Sequence, residues 1–243
     1  MKKIFSELGF LLIHGRINNI RSDSVSQRLN LFLRLCMLAL LFNLVASIIK
    51  VRFFEFFNIA RPSNVFFDSL KKEALSYQFA LACLYAPIVE ELEFRIFLKY
   101  SKISFTAFLG IWFYHLVREI TYGNTLFGAH SDVSVSIGIV LGFVGLAYSF
   151  LDKNKVVNDY LGRFWSKWYK SIFYFSMIGF GFIHIFNFDT CFSTLLLTPV
   201  LTLPQTSIVL LLSYIRLKYG ILYAMLLHSA YNFSLFIIQV IVT

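Results

Sequence analysis

Long runs of apolar residues dominate the chain, and most charged residues fall between the runs. A helix needs about 20 mostly apolar residues to cross the hydrocarbon layer of a bilayer. The runs predict membrane-spanning helices over 29–50, 76–98, 103–119, 133–151, 171–190, 194–215 and 220–242. Their length and lack of alternation exclude β-strands. We therefore expect an all-α, polytopic transmembrane helical bundle of about seven to eight spans, the eighth depending on insertion of the N-terminal patch or of Phe53–Phe57.

The composition agrees with a membrane protein. Hydrophobic residues make up 58% of the chain, charged residues 14%, and the mean hydropathy is +0.71. A soluble domain is closer to half apolar and a quarter charged. The net charge of +9 is consistent with nucleic-acid binding, but in a chain this apolar it favours retention of Lys and Arg on the cytoplasmic side. The expected partner is therefore the lipid bilayer, and no nucleic acid.

The basic residues also predict the orientation of the chain. They are concentrated in the N-terminal segment and in alternate connections, as in Lys2, Lys3, Arg16, Arg21, Arg28, then Lys99, Lys102, then Lys153, Lys155, Arg163, Lys167, Lys170, then Arg216, Lys218. The connections 120–132 and 188–193 are poor in net positive charge. We expect residues 1–243 to form one integral-membrane domain in which residues 1–28 are cytoplasmic or interfacial. With seven spans, the C-terminus lies outside.

Adjacent carboxylates lie in the second predicted span, where a charged side chain costs about 3 kcal/mol or more. Glu91 precedes Arg95 by four residues, which is the favourable order for an ion pair on a helix. Glu90 points about 100° away from Glu91 and is left as a carboxylate in an apolar setting, where desolvation favours proton uptake. A general base near neutral pH needs such a carboxylate. The alternative is a cluster at the membrane interface in which Glu90, Glu91 and Glu93 all meet water.

Two further spans carry histidines. His184 lies in 171–190, and His228 lies four residues before Asn232, on the same face of the last helix. A neutral histidine transfers protons in either direction, and two neighbouring donors stabilise an oxyanion. Each group alone is equally explained by a hydrogen bond between helices. Together the carboxylates, histidines and amide form the inventory of an acid–base site.

Three motifs follow one another along the chain. They are EExxxR, FxxxH and HxxxN, carried by Glu90-Glu91…Arg95, Phe180…His184 and His228…Asn232. Because it carries these three motifs in this order, the chain resembles the CPBP family, which comprises CAAX prenyl proteases and bacteriocin-processing enzymes, also called Abi proteins. The resemblance covers about residues 80–242 and implies that 76–242 contains the catalytic helices. Three motifs in order on predicted spans are more specific than any one of them.

The resemblance also implies roles for these residues. Glu90 with His184 activates a water, and His228 with Asn232 stabilises the tetrahedral oxyanion. Glu91 and Arg95 are supporting. The chain departs from the family pattern at Ile96, where Gly is usual, and in the two additional spans before His184.

Metal binding is not indicated by the spacing of the histidines. No HExxH motif occurs, and the histidines lie on different helices. Glu90, His184 and His228 together resemble a zinc site with an open position, but we favour a metal-free mechanism and expect no cofactor. His115 and Glu119, four residues apart beside Arg118, are interpreted as a salt-bridged helix end. Cys36, Cys83 and Cys191 lie far apart and predict no disulfide framework.

The function that these residues predict is intramembrane proteolysis. The enzyme would hydrolyse a peptide bond near the C-terminal end of, or within, a membrane-associated protein or peptide. The alternative is a non-catalytic binding or immunity protein, or a proton-coupled transporter with the same buried Glu and His. The expected location is the plasma membrane of a bacterium, and the basic residues of the loops predict a cytoplasmic N-terminus.

Overall fold

The computed structural model describes residues 1–17, 23–122, 133–189 and 191–242. Its α-helices are α1 Lys2–His14, α2 Val25–Phe56, α3 Val65–Leu70, α4 Leu75–Phe79, α5 Ala86–Phe94, α6 Lys102–Tyr122, α7 Val133–Lys153, α8 Lys155–Ile183, α9 Phe192–Leu196, α10 Thr198–Leu201, α11 Leu203–Tyr219 and α12 Ile221–Val242. A π-helix, Ala80–Tyr85, joins α4 to α5, and 3-10 turns cover Ile96–Leu98 and His184–Asn187. The all-helical prediction is therefore confirmed.

In the described part of the chain, four helices are long and apolar enough to cross a membrane. They are Val25–Phe56, Ser136–Lys153, Lys155–Asn187 and Ile221–Ile241. The chain is therefore a helical membrane protein. The predicted spans 76–98 and 194–215 are built from shorter helical pieces, so neither presents one continuous α-helix of spanning length. The count of seven to eight spans stays a prediction, and most of the predicted outer connection 120–132 lies outside the described residues.

The chain divides into two compact units. The first contains Met1–Glu91 and Phe173–Thr243, and the second contains Leu92–Ile172. In the first unit α11 packs against α2 and α12, and α12 packs against the π-helix. In the second unit α6 packs against α7. The expectation of one integral-membrane domain stays a prediction.

Local signals explain how the N-terminal helices begin and end. Helix α1 ends because Gly15 adopts a φ of 69°, which a glycine reaches without steric cost. Helix α2 begins with a capping box, in which Ser24 Oγ accepts from Gln27 N and Ser24 N donates to Gln27 Oε1. Glu7, which interrupts the apolar N-terminal patch, accepts hydrogen bonds from the Tyr214 hydroxyl and from Lys218 Nζ. Helix α1 is thereby tied to α11.

Prolines divide the segment 192–219 into α9, α10 and α11. Pro199 has no N–H for the carbonyl of Leu195, four residues earlier, and Thr198 Oγ1 donates to that carbonyl at 2.7 Å. Helix α11 starts with Pro204 in its first turn, where the missing N–H costs no helical bond. Helices α9, α10 and α11 therefore follow one another along a segment whose helical structure is interrupted twice.

The second unit contains a histidine that the sequence analysis assigned wrongly. His115 Nε2 on α6 is hydrogen-bonded to Glu93 Oε1 on α5, and not to Glu119. The Glu93 side chain is 7% exposed and the His115 side chain is 30% exposed, so the carboxylate is buried and the imidazole is partly accessible. The error arose because spacing along a helix identifies neighbours on that helix and does not identify a partner on another helix.

Candidate active site

Three elements of the first unit carry the predicted site. Glu90 and Glu91 lie in the second half of α5, His184 begins the 3-10 turn at the end of α8, and His228 and Asn232 lie on α12. The structure brings the first four of these side chains together. Asn232 instead contacts the π-helix that precedes α5.

Glu90 lies at the centre of the group. Its Oε2 is 3.7 Å from His184 Nε2 and 3.7 Å from His228 Nε2. These distances are longer than a hydrogen bond between the same atoms. The Glu90 side chain is 23% exposed, the most accessible of the three. One carboxylate oxygen therefore faces two imidazole nitrogens at distances slightly too long for a direct hydrogen bond.

The His184 ring is oriented by its own helix. Its Nδ1 lies 2.8 Å from the carbonyl of Phe180, one turn earlier. A carbonyl oxygen only accepts, so Nδ1 carries the proton and donates. In the neutral ring, Nε2 then has the lone pair that faces Glu90. The Phe180 ring, which is almost fully buried, packs at 5.0 Å from the His184 ring and 5.8 Å from the His228 ring, measured between centroids.

His228 is oriented by Glu91. Its Nδ1 is 2.9 Å from Glu91 Oε1, and both side chains are almost completely buried. A carboxylate oxygen in this position accepts from Nδ1–H. His228 Nε2 is then the ring nitrogen that faces Glu90. The pair of Glu91 and His228 resembles the carboxylate–histidine pair of hydrolases, in which the carboxylate orients the histidine ring.

The structure shows a partner of Glu91 that the sequence pattern did not predict. Its Oε1 is bonded to His228 Nδ1 on α12. Helix α5 ends at Phe94, and Arg95, with a φ of −129°, lies outside the regular helix. The ion pair between Glu91 and Arg95 that helical spacing predicts stays a prediction. Arg95 itself is fully buried, and its supporting role stays a prediction.

Asn232 makes a contact that sequence spacing does not predict. Its Nδ2 donates to the carbonyl of Ala82 at 2.8 Å. The neighbouring Tyr231 hydroxyl donates to Asn43 Oδ1 on α2, also at 2.8 Å. Asn43 was overlooked, although a lone amide within an apolar run was its signal. These two bonds connect α12 to the π-helix and to α2.

Glu90, His184 and His228 carry side chains of the types that bind metal ions. Among the described residues, no group of three or more His, Cys, Asp or Glu side chains has the geometry to hold one. Both imidazoles do present Nε2 to Glu90. The metal-free mechanism stays a prediction that a metal assay decides.

A carboxylate thus lies beside two oriented imidazoles, one of which is bonded to a second, buried carboxylate, and these side-chain types are the ones that acid–base chemistry uses. The sequence model of the type II CAAX prenyl endopeptidase Rce1-like family matches residues 72–234, which include all three motifs. The match covers more than half of the chain, and the chain belongs to this family, a family of proteases within the CPBP group. The resemblance noted from the three motifs is thus confirmed. No curated protein and no solved structure matches the chain.

Proposed function

We propose that the protein is an intramembrane endopeptidase that hydrolyses a peptide bond near the C-terminal end of, or within, a membrane-associated protein or peptide. The observation that carries this proposal is the position of Glu90 Oε2, which is 3.7 Å from Nε2 of both histidines. A water that lies beside the carboxylate and an imidazole can be hydrogen-bonded to both, so it is within reach of a base and of a second polar group. Membership of a protease family supports the same reaction.

The first step forms the bond between the water oxygen and the carbonyl carbon of the substrate. Glu90 accepts the proton of the water, and His184 Nε2 orients the water through its lone pair. The developing oxyanion receives a hydrogen bond from protonated His228 Nε2. Glu91 stabilises that charge from the other side of the ring. A single oxyanion donor is typically worth about 100- to 1,000-fold in rate.

The second step breaks the carbon–nitrogen bond. Protonated Glu90 returns its proton to the leaving amine, and the carboxylate is regenerated. No net proton, electron or cofactor is consumed, since the products are a carboxylic acid and an amine. The balance of the reaction therefore requires only the substrate and one water.

The test is cleavage by the purified protein in liposomes of an unbiased peptide set that includes prenylated and unprenylated C-terminal peptides. Glu90→Gln keeps the shape of the side chain and removes the base, so we expect a fall in kcat of about 100- to 10,000-fold. Product analysis by mass spectrometry gives the position of the cut and shows whether the prenyl group matters.

Glu55→Gln is a matched control, because Glu55 lies on α2 and pairs only with exposed Arg52 and Arg61 among the contacts described. It should cleave like the wild type. Absence of cleavage of every peptide, with an unchanged phenotype for Glu90→Gln in cells, would exclude the peptidase. A binding or immunity role would then be favoured.

A further inference from the structure

The π-helix before Glu90 leaves one backbone carbonyl without its helical donor. In this segment the N–H of Ala86 bonds to the carbonyl of Leu81, five residues earlier. The same register assigns the carbonyl of Ala82 to the N–H of residue 87. Residue 87 is a proline, which has no N–H. A buried carbonyl without a donor costs about 1–3 kcal/mol.

Asn232 supplies that donor from α12. Its Nδ2 lies 2.8 Å from the oxygen of Ala82. Aromatic contacts support this bond on one side, since the ring of Phe79, which directly precedes the π-helix, lies 5.9 Å from the rings of both Phe233 and Phe236 on α12. The amide is therefore matched to a vacancy that Pro87 creates in the π-register.

The π-register decides where the carboxylates of α5 point. A π-turn contains one residue more than an α-turn, so every later side chain is rotated by about 100° relative to a continuous α-helix. Glu90 and Glu91 follow the π-helix directly, and their carboxylates reach His184 and His228 in this register. Reversion to a regular α-helix turns both carboxylates away from the histidines.

We propose that Asn232 is a positioning residue, which holds the π-helix through the carbonyl of Ala82 and thereby aims Glu90 and Glu91 at the two histidines. The proposal rests on the proposed peptidase function for its kinetic consequence and on the hydrogen bond for its structural one. It differs from the expectation from the family resemblance, in which Asn232 donates to the oxyanion. The two roles differ in what restores a variant that lacks the amide.

The test is a double-mutant cycle of Asn232→Ala and Pro87→Ala in the full-length protein. Pro87→Ala restores an N–H at residue 87, which serves the carbonyl of Ala82 within the same π-register. We expect Asn232→Ala to lower kcat about 100-fold, as a displacement of about 1 Å does, with KM changed less than about twofold. In the double variant kcat should recover at least about tenfold, because the carbonyl again has a donor.

The interaction between the two substitutions is the quantity that decides, since any cost of Pro87→Ala by itself cancels in the cycle. Ser234→Ala serves as the control, because Ser234 Oγ bonds to the carbonyl of Ala230 within α12. It should show no coupling with Pro87→Ala. Additive losses of kcat for Asn232→Ala and Pro87→Ala would overturn the positioning role and favour direct donation to the oxyanion.

A second readout separates this proposal from the peptidase function. The midpoint of thermal unfolding should fall in Asn232→Ala and recover in the double variant, whether or not any peptide is cleaved. Recovery without cleavage supports the hydrogen bond and excludes the peptidase. Losses in the midpoint that simply add would overturn the proposal even in an active enzyme.

Discussion

The bond between Glu91 and His228 can be tested by changing one atom. Glu91→Gln keeps the size of the side chain and still offers an oxygen to Nδ1–H, but it removes the negative charge behind the ring. The carboxylate is completely buried and lies 2.9 Å from Nδ1. The substitution therefore alters the electrostatic support of the imidazolium more than the packing.

The size of the effect follows from the distance and the burial. Two unit charges about 4 Å apart interact by about 4 kcal/mol at the effective dielectric constant suited to proteins. Part of this is retained, because the amide oxygen still accepts a neutral hydrogen bond worth about 1 kcal/mol. A net loss of about 3 kcal/mol in the transition state corresponds to about a 100-fold fall in kcat. Substrate binding does not use this charge, so KM should change little.

The assay is single-turnover cleavage in liposomes by wild type, Glu91→Gln and Glu93→Gln. Glu93 is the matched control because it is also a buried carboxylate of α5 bonded to a histidine, but its partner is His115 on α6. Glu93→Gln should lower the unfolding midpoint while each folded molecule cleaves at the wild-type rate. A Glu91→Gln enzyme within about threefold of wild type, or an equal fall in Glu93→Gln, would refute the electrostatic role of Glu91.

Three further predictions concern packing, thiol reactivity and topology. A Cβ on Gly181 would overlap Thr206 Oγ1, so Gly181→Ala should destabilise the fold by about 1–3 kcal/mol. Adding Thr206→Ala should restore the unfolding midpoint, and an unchanged midpoint in Gly181→Ala would contradict the close approach. Hydrogen bonding by the Ser193 hydroxyl lowers the pKa of the exposed Cys191 thiol to about 7. Its alkylation rate should therefore rise with a midpoint near pH 7, and Ser193→Ala should raise that midpoint. In intact cells, a membrane-impermeant maleimide should label Cys191 from outside; labelling only after lysis would reverse the predicted orientation.

The candidate site was predicted in part from the sequence because acid–base chemistry requires particular residue types, which the sequence shows directly. Glu90, Glu91, His184 and His228 stand out as polar side chains inside apolar runs, and the structure brings all four together. Their partners were harder to predict. The bond from Glu91 to His228 was not predicted, because spacing shows neighbours on one helix and these two residues lie on different helices.

The all-α class and the apolar character of the chain were determined by the sequence alone, because both depend on local composition and on the length of the runs. The order of the motifs likewise indicated the family. Only the tertiary structure decided that Glu91 orients His228 and that Asn232 serves the carbonyl of Ala82. The reason is that the π-helix before Pro87 shifts the register of the side chains that follow by one residue. Such a shift is recognised only from the contacts that those side chains make with other helices.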